Sequence, residues 1–295
     1  MPLETITQCP ICSSNTFTPY LTAKDRTASH QNFNLQKCSA CGFVITNPRP
    51  DIHSIGEFYK SEKYISHTGA NKTLLDKIYL QARKLTLRWK LTLINQYKKS
   101  GILLDYGCGT GEFVDRMQTN GWQTTGVEPS DAARRKAIEL SNSSIVPSLL
   151  EINHKFDVIT LWHVLEHVHD LNAKIAELKD RLKDDGIIFI AVPNHESADA
   201  MHYKDNWAGY DVPRHVWHFS KTNMQQLLDK HGFTLIKAEP MMLDAFYVSL
   251  LSEGYQSQNS SPIKMIKAFI NGVKSNAHGS NTGIYSSLIY IASHK

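Results

Sequence analysis

The sequence predicts an α/β protein with a doubly wound sheet, preceded by a small N-terminal zinc ribbon. Beyond residue 100, short apolar runs alternate with helical patterns, an order typical of a parallel sheet covered by helices on both faces. The first apolar run leads into three glycines at alternate positions, Gly107, Gly109 and Gly111, and a helix follows. Two Cys-x-x-Cys pairs lie within the first 41 residues. Separate patterns therefore predict the sheet and the ribbon.

The zinc ribbon is predicted from Cys9, Cys12, Cys38 and Cys41. Each pair offers two thiolates from one tight turn, and two such turns complete a tetrahedral Zn²⁺ site. Two disulfides are the alternative, which a reducing cytoplasm disfavours. A redox role for one pair is also open, although the paired arrangement argues against it. We expect a structural Zn²⁺, with contact to nucleic acid or a partner as the second interpretation.

The bulk properties are those of an ordinary globular protein. Of 295 residues, 41% are hydrophobic and 20% are charged, and the formal net charge is +4. There is no dense Lys/Arg patch, so nucleic acid is not expected as a partner. No apolar run approaches the ~20 residues of a membrane span. The N-terminal sequence MPLETITQCP lacks the features of a secretion signal, which predicts a cytoplasmic protein.

We divide the chain into the ribbon at 1–50, a linker and N-terminal helical segment at 51–100, and a large domain at 101–295. A long helical pattern runs from about residue 71 to 99, with many lysines and arginines. A basic helix can face RNA or an anionic membrane surface. The simpler interpretation is a solvated face whose other side packs on the core.

The glycine-rich turn opens the large domain and predicts a ligand site. Glycine permits positive φ and leaves room for a ligand against the backbone, and the following helix N-terminus offers free N–H groups. The second predicted strand, 121–128, ends in Glu128, 17 residues after Gly111. In a doubly wound sheet this position lies beside the first turn, where a carboxylate can bind both ribose hydroxyls. A surface glutamate at a strand end is the simpler alternative.

Further apolar runs complete a sheet of seven strands, separated by helical patterns. The remaining strands are predicted at 145–146, 155–161, 186–192, 233–239 and 286–292, and the intervening helices at 130–140, 171–183 and 221–230. An insertion at about 242–283 is too long for a simple loop. Two helices are predicted in it, at 243–255 and 262–273. The second is amphipathic with lysines, so a membrane, a partner subunit or a lipid-like substrate can contact it. A plain lid over the pocket is the more common arrangement.

These motifs resemble the class I S-adenosylmethionine-dependent methyltransferases, a family with a Rossmann-like seven-stranded sheet. The resemblance covers roughly residues 71 to 241 and includes the last strand. It is closest to the branch of ubiquinone-type O-methyltransferases and of zinc-ribbon methyltransferases of sugar or polyketide pathways. The sequence Gly-Cys-Gly-Thr-Gly differs from the G-x-G-x-x-G fingerprint of dehydrogenases. The segments that carry the resemblance are DYGCGTG at 105–111, GVEP at 126–129, FDVI at 156–159 and WHVLEHV at 162–168.

The resemblance implies which residues bind S-adenosylmethionine. The turn after the first strand surrounds the methionine moiety and the ribose, Glu128 binds the ribose hydroxyls, and Pro129 borders the adenine. Many relatives carry an acidic residue after the third strand, where this chain offers only Ser148. The implied cofactor-binding residues are Asp105, Tyr106, Gly107, Cys108, Gly109, Gly111, Glu128, Pro129 and Trp162.

Histidines supply the candidate bases. Methyl transfer from a sulfonium depends on positioning, and a hydroxyl acceptor must also lose a proton. Two histidine-containing segments, 162–168 and 210–220, are expected at the sheet edge that faces the acceptor. We expect His215 to be the base, with His163 second and His218 as a third candidate. A single histidine is more often structural, as a cap, a packed ring or an exposed side chain, but four in two loops that converge on one edge favour a catalytic role.

A divalent metal at His163, Glu166 and His167 is a further hypothesis, because ubiquinone-type relatives look similar here, with a carboxylate in place of His163. Against it, residues 165–168 can equally begin a helix in which Glu166 is simply solvated. The sequence is thus interpreted as a methyltransferase acting on a small molecule such as a sugar, a quinone or another secondary metabolite, by O-methylation. The alternatives are an RNA- or protein-modifying methyltransferase and a non-catalytic binding module. The sequence leaves the acceptor and the oligomeric state open.

Overall fold

The computed structural model describes residues 2–59, 74–256 and 262–295. The strands are β1 (Leu3–Glu4), β2 (Phe17–Lys24), β3 (Asn32–Cys38), β4 (Val44–Thr46), β5 (Arg49–Pro50), β6 (Ile102–Tyr106), β7 (Gln123–Val127), β8 (Ser144–Val146), β9 (Phe156–Trp162), β10 (Leu182–Pro193), β11 (Trp217–His218), β12 (Phe233–Pro240) and β13 (Ser287–His294). The α-helices are α1 (Leu74–Asn95), α2 (Glu112–Gln118), α3 (Asp131–Leu140), α4 (Leu171–Arg181), α5 (Ala198–Tyr203), α6 (Lys221–Lys230), α7 (Met242–Gln256) and α8 (Pro262–Thr282).

The large sheet of the described residues has seven strands in the order β12-β13-β10-β9-β6-β7-β8, and β13 runs antiparallel to the other six. The chain adds β7 and β8 on one side of β6 and then returns to place β9 on the other side. This reversal makes β6 and β9 the switch point of the sheet, where the carboxyl ends of strands leave a crevice for ligands. The predicted doubly wound fold is confirmed.

Both faces of this sheet are covered, because successive residues of each central strand enter different apolar clusters. Leu104 and Ile159 belong to one cluster, and their neighbours Leu103 and Val158 belong to the other. All four side chains are fully buried. Fully apolar strands such as these are expected where helices cover both sides of a parallel sheet.

A second sheet, of four strands, builds the ribbon in the order β11-β4-β3-β2. Its edge strand β11 comes from residues 217–218, far outside the predicted ribbon boundary, and pairs Trp217 with Ile45 and His218 with Val44. The segment that carries His215 and His218 is therefore fastened to the ribbon. Three fully or nearly buried aromatic residues at this junction pack together: Phe43, Trp217 and Phe219.

Two helices differ in length from the sequence prediction. The start predicted for the first, at 71, lies outside the described residues, and α1 is described from Leu74 onward. Helix α8 continues to Thr282, whereas the apolar periodicity predicted its end at Val273. Its last turns are rich in Ser, Asn and Gly, which have low helix propensity. Tertiary contacts outweigh this preference: Ser275 donates a hydrogen bond to Asp199, and Asn276 donates one to the Met242 carbonyl.

None of the helices in the described segments combines the length and apolarity that crossing a membrane requires.

Candidate active site at the switch point

The turn after β6 is shaped by three glycines with positive φ: 77° at Gly107, 55° at Gly109 and 84° at Gly111. A Cβ at Gly107 would lie 2.5 Å from a methyl carbon of Val164, and one at Gly111 would lie 2.8 Å from the Ala137 Cβ. These two glycines are needed by the protein's own packing. A Cβ at Gly109 would meet no atom within 4 Å. The backbone of Gly109 therefore faces open space, as a ligand cradle requires.

Two carboxylates border this turn. The Glu128 carboxylate accepts hydrogen bonds from the backbone N–H groups of Gly109, at 2.9 Å, and Ser130, at 2.8 Å. Burial nevertheless raises the pKa of Glu128. Asp105 is 2% exposed, and burial raises its pKa to about 7, although the Thr160 hydroxyl donates a hydrogen bond to it and Lys90 lies nearby. Both carboxylates lie where a ligand with hydroxyl or ammonium donors would bind them.

The other predicted cofactor residues surround the same turn at different depths. Cys108 is buried against Gly126, which leaves room for its sulfur, since a Cβ on Gly126 would lie 2.6 Å from the Sγ atom. Tyr106 is half-buried beneath the Lys174 ammonium, 4.9 Å from the ring centre, whereas Pro129 is exposed. Trp162 is the last residue of β9, and its ring centre lies 5.3 Å from the ring centre of Phe113.

A cavity of about 1090 Å³ opens at the carboxyl edge of the sheet, beside the ends of β9 and β10. Its walls come from the β2–β3 loop of the ribbon, from α1, from the turn after β9, from residues 208–215 and from α7. Lys90 of α1 lines the cavity, and its ammonium lies 4.0 Å from the ring centre of Trp162, at the end of β9. Burial lowers the pKa of Lys90 to about 8, although Asp105 and Asp244 lie near enough to oppose this. The cavity is large enough for a small-molecule acceptor.

His215, the first predicted base, lines this cavity. Its Nδ1 lies 2.9 Å from the Gly209 carbonyl oxygen, which can only accept a hydrogen bond. Nδ1 therefore carries the proton in the neutral ring, and Nε2 keeps its lone pair. Nε2 lies 4.0 Å from a Glu166 oxygen and 3.8 Å from an Asp211 oxygen. Nε2 thus keeps its lone pair beside two carboxylates that lie beyond hydrogen-bond distance.

His163, the second predicted base, is held between two carboxylates. Its Nε2 lies 2.9 Å from Asp244 and its Nδ1 lies 3.4 Å from Glu166. Burial lowers the pKa of His163, but the two carboxylates outweigh it and raise the pKa to about 10. The ring is therefore protonated near neutral pH and has no lone pair to accept a proton. A backbone φ of 58° turns it into this position directly after β9.

His218, the third candidate, is buried on the ribbon side and does not line the large cavity. Its Nε2 lies 2.9 Å from the Thr46 hydroxyl, which also donates a hydrogen bond to the His215 carbonyl at 2.8 Å. Burial holds the pKa of His218 well below its ordinary value, so the ring is neutral. These contacts suit a role in positioning His215 rather than in contacting an acceptor.

Glu166 lies at the centre of the histidine cluster and is 1% exposed. Neither of its oxygens accepts a well-aligned hydrogen bond from the described residues. Burial raises the pKa of Glu166, but the three surrounding histidines outweigh it and leave the pKa lowered. Potential ligand atoms of Glu166, His167 and His215 lie within 4.8 Å of one another. The sequence predicted His163 as the third member of this group. In the described residues, His215 takes that place.

The four ribbon cysteines form the second potential metal group. Their sulfurs lie within 4.8 Å of one another, and the Cys9–Cys41 and Cys12–Cys38 pairs are each 3.5 Å apart. This is far longer than the ~2.05 Å of a disulfide and close to the roughly 3.8 Å between ligands in a tetrahedral Zn–S₄ centre with bonds of about 2.3 Å. Although burial acts to raise it, backbone N–H groups of Cys41 and Ala40 lower the pKa of Cys38 to about 7. The residues fit a structural Zn²⁺.

Several cavity residues were not found from the sequence. Asp244, the partner of His163, lies on α7 in the insertion, and no motif marks it. The ribbon loop contributes Lys24 and Arg26 because Asp25 fixes its shape. The Asp25 carboxylate is 1% exposed and accepts hydrogen bonds from the backbone N–H groups of three successive residues, 27–29. A buried loop carboxylate of this kind leaves only a weak signal, the neighbouring Thr and Ser residues of an Asx turn.

Residues 79–238 match the methyltransferase domain family. Among curated proteins, the chain is 27% identical over 186 residues to a ubiquinone biosynthesis O-methyltransferase of Pelagibacter ubique, covering 57% of this chain and 74% of that protein. It is 34% identical over 117 residues to the protein of the same name from Haemophilus ducreyi, covering 34% of this chain and 50% of that one. The chain thus spans about half the length of the second relative.

Solved structures show the same fold at low sequence identity. Magnesium protoporphyrin IX methyltransferase from Synechocystis PCC 6803, with bound SAH, is 13% identical with a TM-score of 0.54, covering 82% of this chain and all of that one. Mycolic acid cyclopropane synthase, in complex with SAH and CTAB, is 16% identical with a TM-score of 0.50, covering 70% of this chain and 84% of that one. With more than half of its residues matched by the family and a seven-stranded sheet of the expected order, the chain belongs to the class I S-adenosylmethionine-dependent methyltransferases.

Proposed function

We propose that the protein transfers the methyl group of S-adenosylmethionine to a hydroxyl group of a small molecule bound in the cavity, with His215 as the base. The observation that carries this proposal is the His215 ring, whose Nδ1 donates to the Gly209 carbonyl and whose Nε2 therefore keeps its lone pair in a residue that lines the cavity. The names of the matched relatives, ubiquinone biosynthesis O-methyltransferases, support an oxygen acceptor.

The turn at 107–111 and the Glu128 carboxylate would hold the methyl donor. The open space before Gly109 accommodates it, and Glu128 would exchange its bond to the Gly109 N–H for the ribose hydroxyls. The bound donor supplies an electrophilic methyl group on a sulfonium centre. The remaining catalytic demand is to orient the acceptor and remove its proton.

His215 meets the second demand through its surroundings. Removal of the acceptor proton by Nε2 creates an imidazolium, whose charge Glu166 and Asp211 stabilise from 4.0 and 3.8 Å. Glu166 is buried, so its effect on the ring is larger than it would be in water. Arg214 forms a bidentate ion pair with Asp211, which fixes that carboxylate. The arrangement follows the general pattern of a base oriented by one group and stabilised by another.

His163 has a different role in this proposal. As a cation between Asp244 and Glu166, it offsets part of the negative charge that would otherwise repel an acceptor alkoxide. It also ties the turn after β9 to α7, which forms one wall of the cavity. The division of the chain into ribbon, linker and methyltransferase domain, and the cytoplasmic location, remain predictions.

Two measurements test the proposal in sequence. Calorimetry should detect S-adenosylmethionine binding, and Glu128→Ala should weaken it by at least tenfold, about 1.4 kcal/mol. No binding, or unchanged binding in the variant, would refute the cofactor assignment. An acceptor is then sought by incubating the protein with labelled S-adenosylmethionine and fractions of small-molecule extracts.

With an acceptor in hand, His215→Ala should lose turnover by roughly 10²–10⁴-fold while still binding S-adenosylmethionine. Added imidazole should restore part of the rate, because it can replace the missing base. His154→Ala, at an exposed histidine outside the cavity, is the matched control and should keep full turnover. Retained turnover in His215→Ala would instead support catalysis by positioning alone.

A further inference from the structure

Helix α8 turns its large apolar side chains outward. Ile263, Ile266 and Phe269 are 64%, 59% and 61% exposed, and Ile270 and Val273 are also exposed. These five residues are called here the insertion face. Their spacing of three and four residues places them on one side of the helix. Contiguous exposed apolar surface of this kind marks an interaction site in soluble proteins.

The inner side of α8 explains why the large residues lie outside. It carries small residues, with Ala268, Gly272 and Gly279 buried against the rest of the protein. A Cβ at Gly272 would lie 2.5 Å from the Phe246 ring, and one at Gly279 would lie 2.5 Å from the Tyr285 ring. The helix is therefore packed closely through small residues, and no room exists to turn its isoleucines inward. The outward apolar stripe is fixed by the fold.

The charge of α8 indicates what covers the insertion face. The helix contains Lys264, Lys267 and Lys274 and no Asp or Glu. In a symmetric dimer built on this helix, the lysines would meet the same helix of the second copy, which has no carboxylate to pair with them. Lys267 and Lys274 are exposed beside the apolar stripe. An apolar stripe flanked by lysines suits a membrane surface with anionic lipids.

The insertion face lies next to the mouth of the cavity. Leu243, Tyr247 and Leu250 of α7 are exposed large hydrophobic residues that also line the cavity, and Lys264 of α8 lies at the same rim. We propose that α7 and α8 dock the protein on the surface of a bilayer containing anionic lipids, with the insertion face among the acyl chains and the lysines on the headgroups. The cavity then opens at the membrane interface, where an acceptor with an apolar tail can enter it directly.

The test is sedimentation of the purified full chain with vesicles of phosphatidylcholine containing roughly one-third phosphatidylglycerol. No cofactor or acceptor is added, so the result is independent of the proposed enzymatic function. Wild type should bind, and the double variant Ile266→Glu with Ile270→Glu should bind at least tenfold more weakly. The matched control is Ile138→Glu with Leu140→Glu, which charges two exposed apolar residues on α3, outside α7 and α8.

The lysines provide a second variant that leaves the apolar stripe intact. Replacement of all three by Gln should weaken binding about fivefold for each lysine in contact with the membrane, and added salt should abolish that difference. Failure of the wild type to bind, or equal loss in the insertion-face and control variants, would overturn the proposal. So would a wild-type dimer, seen by light scattering, that the insertion-face variant converts to monomers, because a second copy would then cover the face.

Discussion

Replacing Gly109 and Gly107 by alanine in turn should separate ligand binding from packing within one motif. Both positions have left-handed backbone angles, which cost an alanine roughly 1–2 kcal/mol. At Gly109 the new methyl group enters open space, so no further stability is lost. At Gly107 it would lie 2.5 Å from a Val164 methyl carbon, and relieving such an overlap costs a further 1–3 kcal/mol or so.

We therefore expect Gly109→Ala to lower the free energy of unfolding by roughly 1–2 kcal/mol and Gly107→Ala by roughly 2–5 kcal/mol. Affinity for S-adenosylmethionine should show a different pattern. The methyl group at position 109 occupies the space proposed for the cofactor, so binding should weaken at least tenfold, about 1.4 kcal/mol. Urea unfolding and calorimetry measure the two quantities on the same samples.

A third variant tests the cause of the Gly107 effect. Val164→Ala removes the two methyl carbons nearest the added Cβ. In a double-mutant cycle it should recover roughly 1–3 kcal/mol of the loss from Gly107→Ala, leaving the backbone contribution. The reasoning is refuted if Gly109→Ala destabilises the protein as much as Gly107→Ala does, or if it binds the cofactor as tightly as the wild type.

Three further predictions concern the cavity and the ribbon. The folded protein raises the pKa of His163 from 6.5 to about 10, so its protonation contributes stability below pH 6.5 that is lost between pH 6.5 and 10. His163→Gln should remove that part of the pH dependence in urea unfolding, and an unchanged profile would contradict the ion-pair assignment. Metal analysis should find one Zn²⁺ per chain. Its removal by a chelator should reduce turnover but not cofactor binding, because β11 joins the ribbon sheet to the His215 segment. Loss of turnover and cofactor binding together would argue against this coupling. Thr46→Val should lower the free energy of unfolding by roughly 1–3 kcal/mol and also slow turnover. The substitution removes the hydroxyl that donates a hydrogen bond to the His215 carbonyl and forms another with His218. A variant with wild-type kcat would show that this contact does not position His215.

Local patterns accounted for much of the fold. The strands around Leu103–Leu104 and Val158–Ile159 were predictable because buried parallel strands are continuous apolar runs, which few other structures produce. The ends of helices were less predictable. Helix α8 continues past the apolar pattern because Ser275 and Asn276 find buried partners in distant segments, and such partners leave no local trace.

The candidate site divides in the same way. The glycine turn and Glu128 were predictable because backbone geometry and spacing along the chain define them. Which of the histidines can act as a base was not predictable, since this depends on the groups that surround each ring. His215 keeps a free nitrogen because the Gly209 carbonyl holds the other one, whereas Asp244, 81 residues along the chain, makes His163 a cation.

By itself, then, the sequence determined the doubly wound sheet, the four-cysteine cluster and the glycine turn after β6. These features arise from residues close together along the chain, so their spacing carries the information. Only the tertiary structure decided that the ribbon and the insertion both form walls of the cavity, that β11 fastens the histidine segment to the ribbon, and that α8 turns its isoleucines outward. Those features depend on contacts between distant segments. Such contacts decide whether a histidine is protonated and whether an isoleucine is buried or exposed.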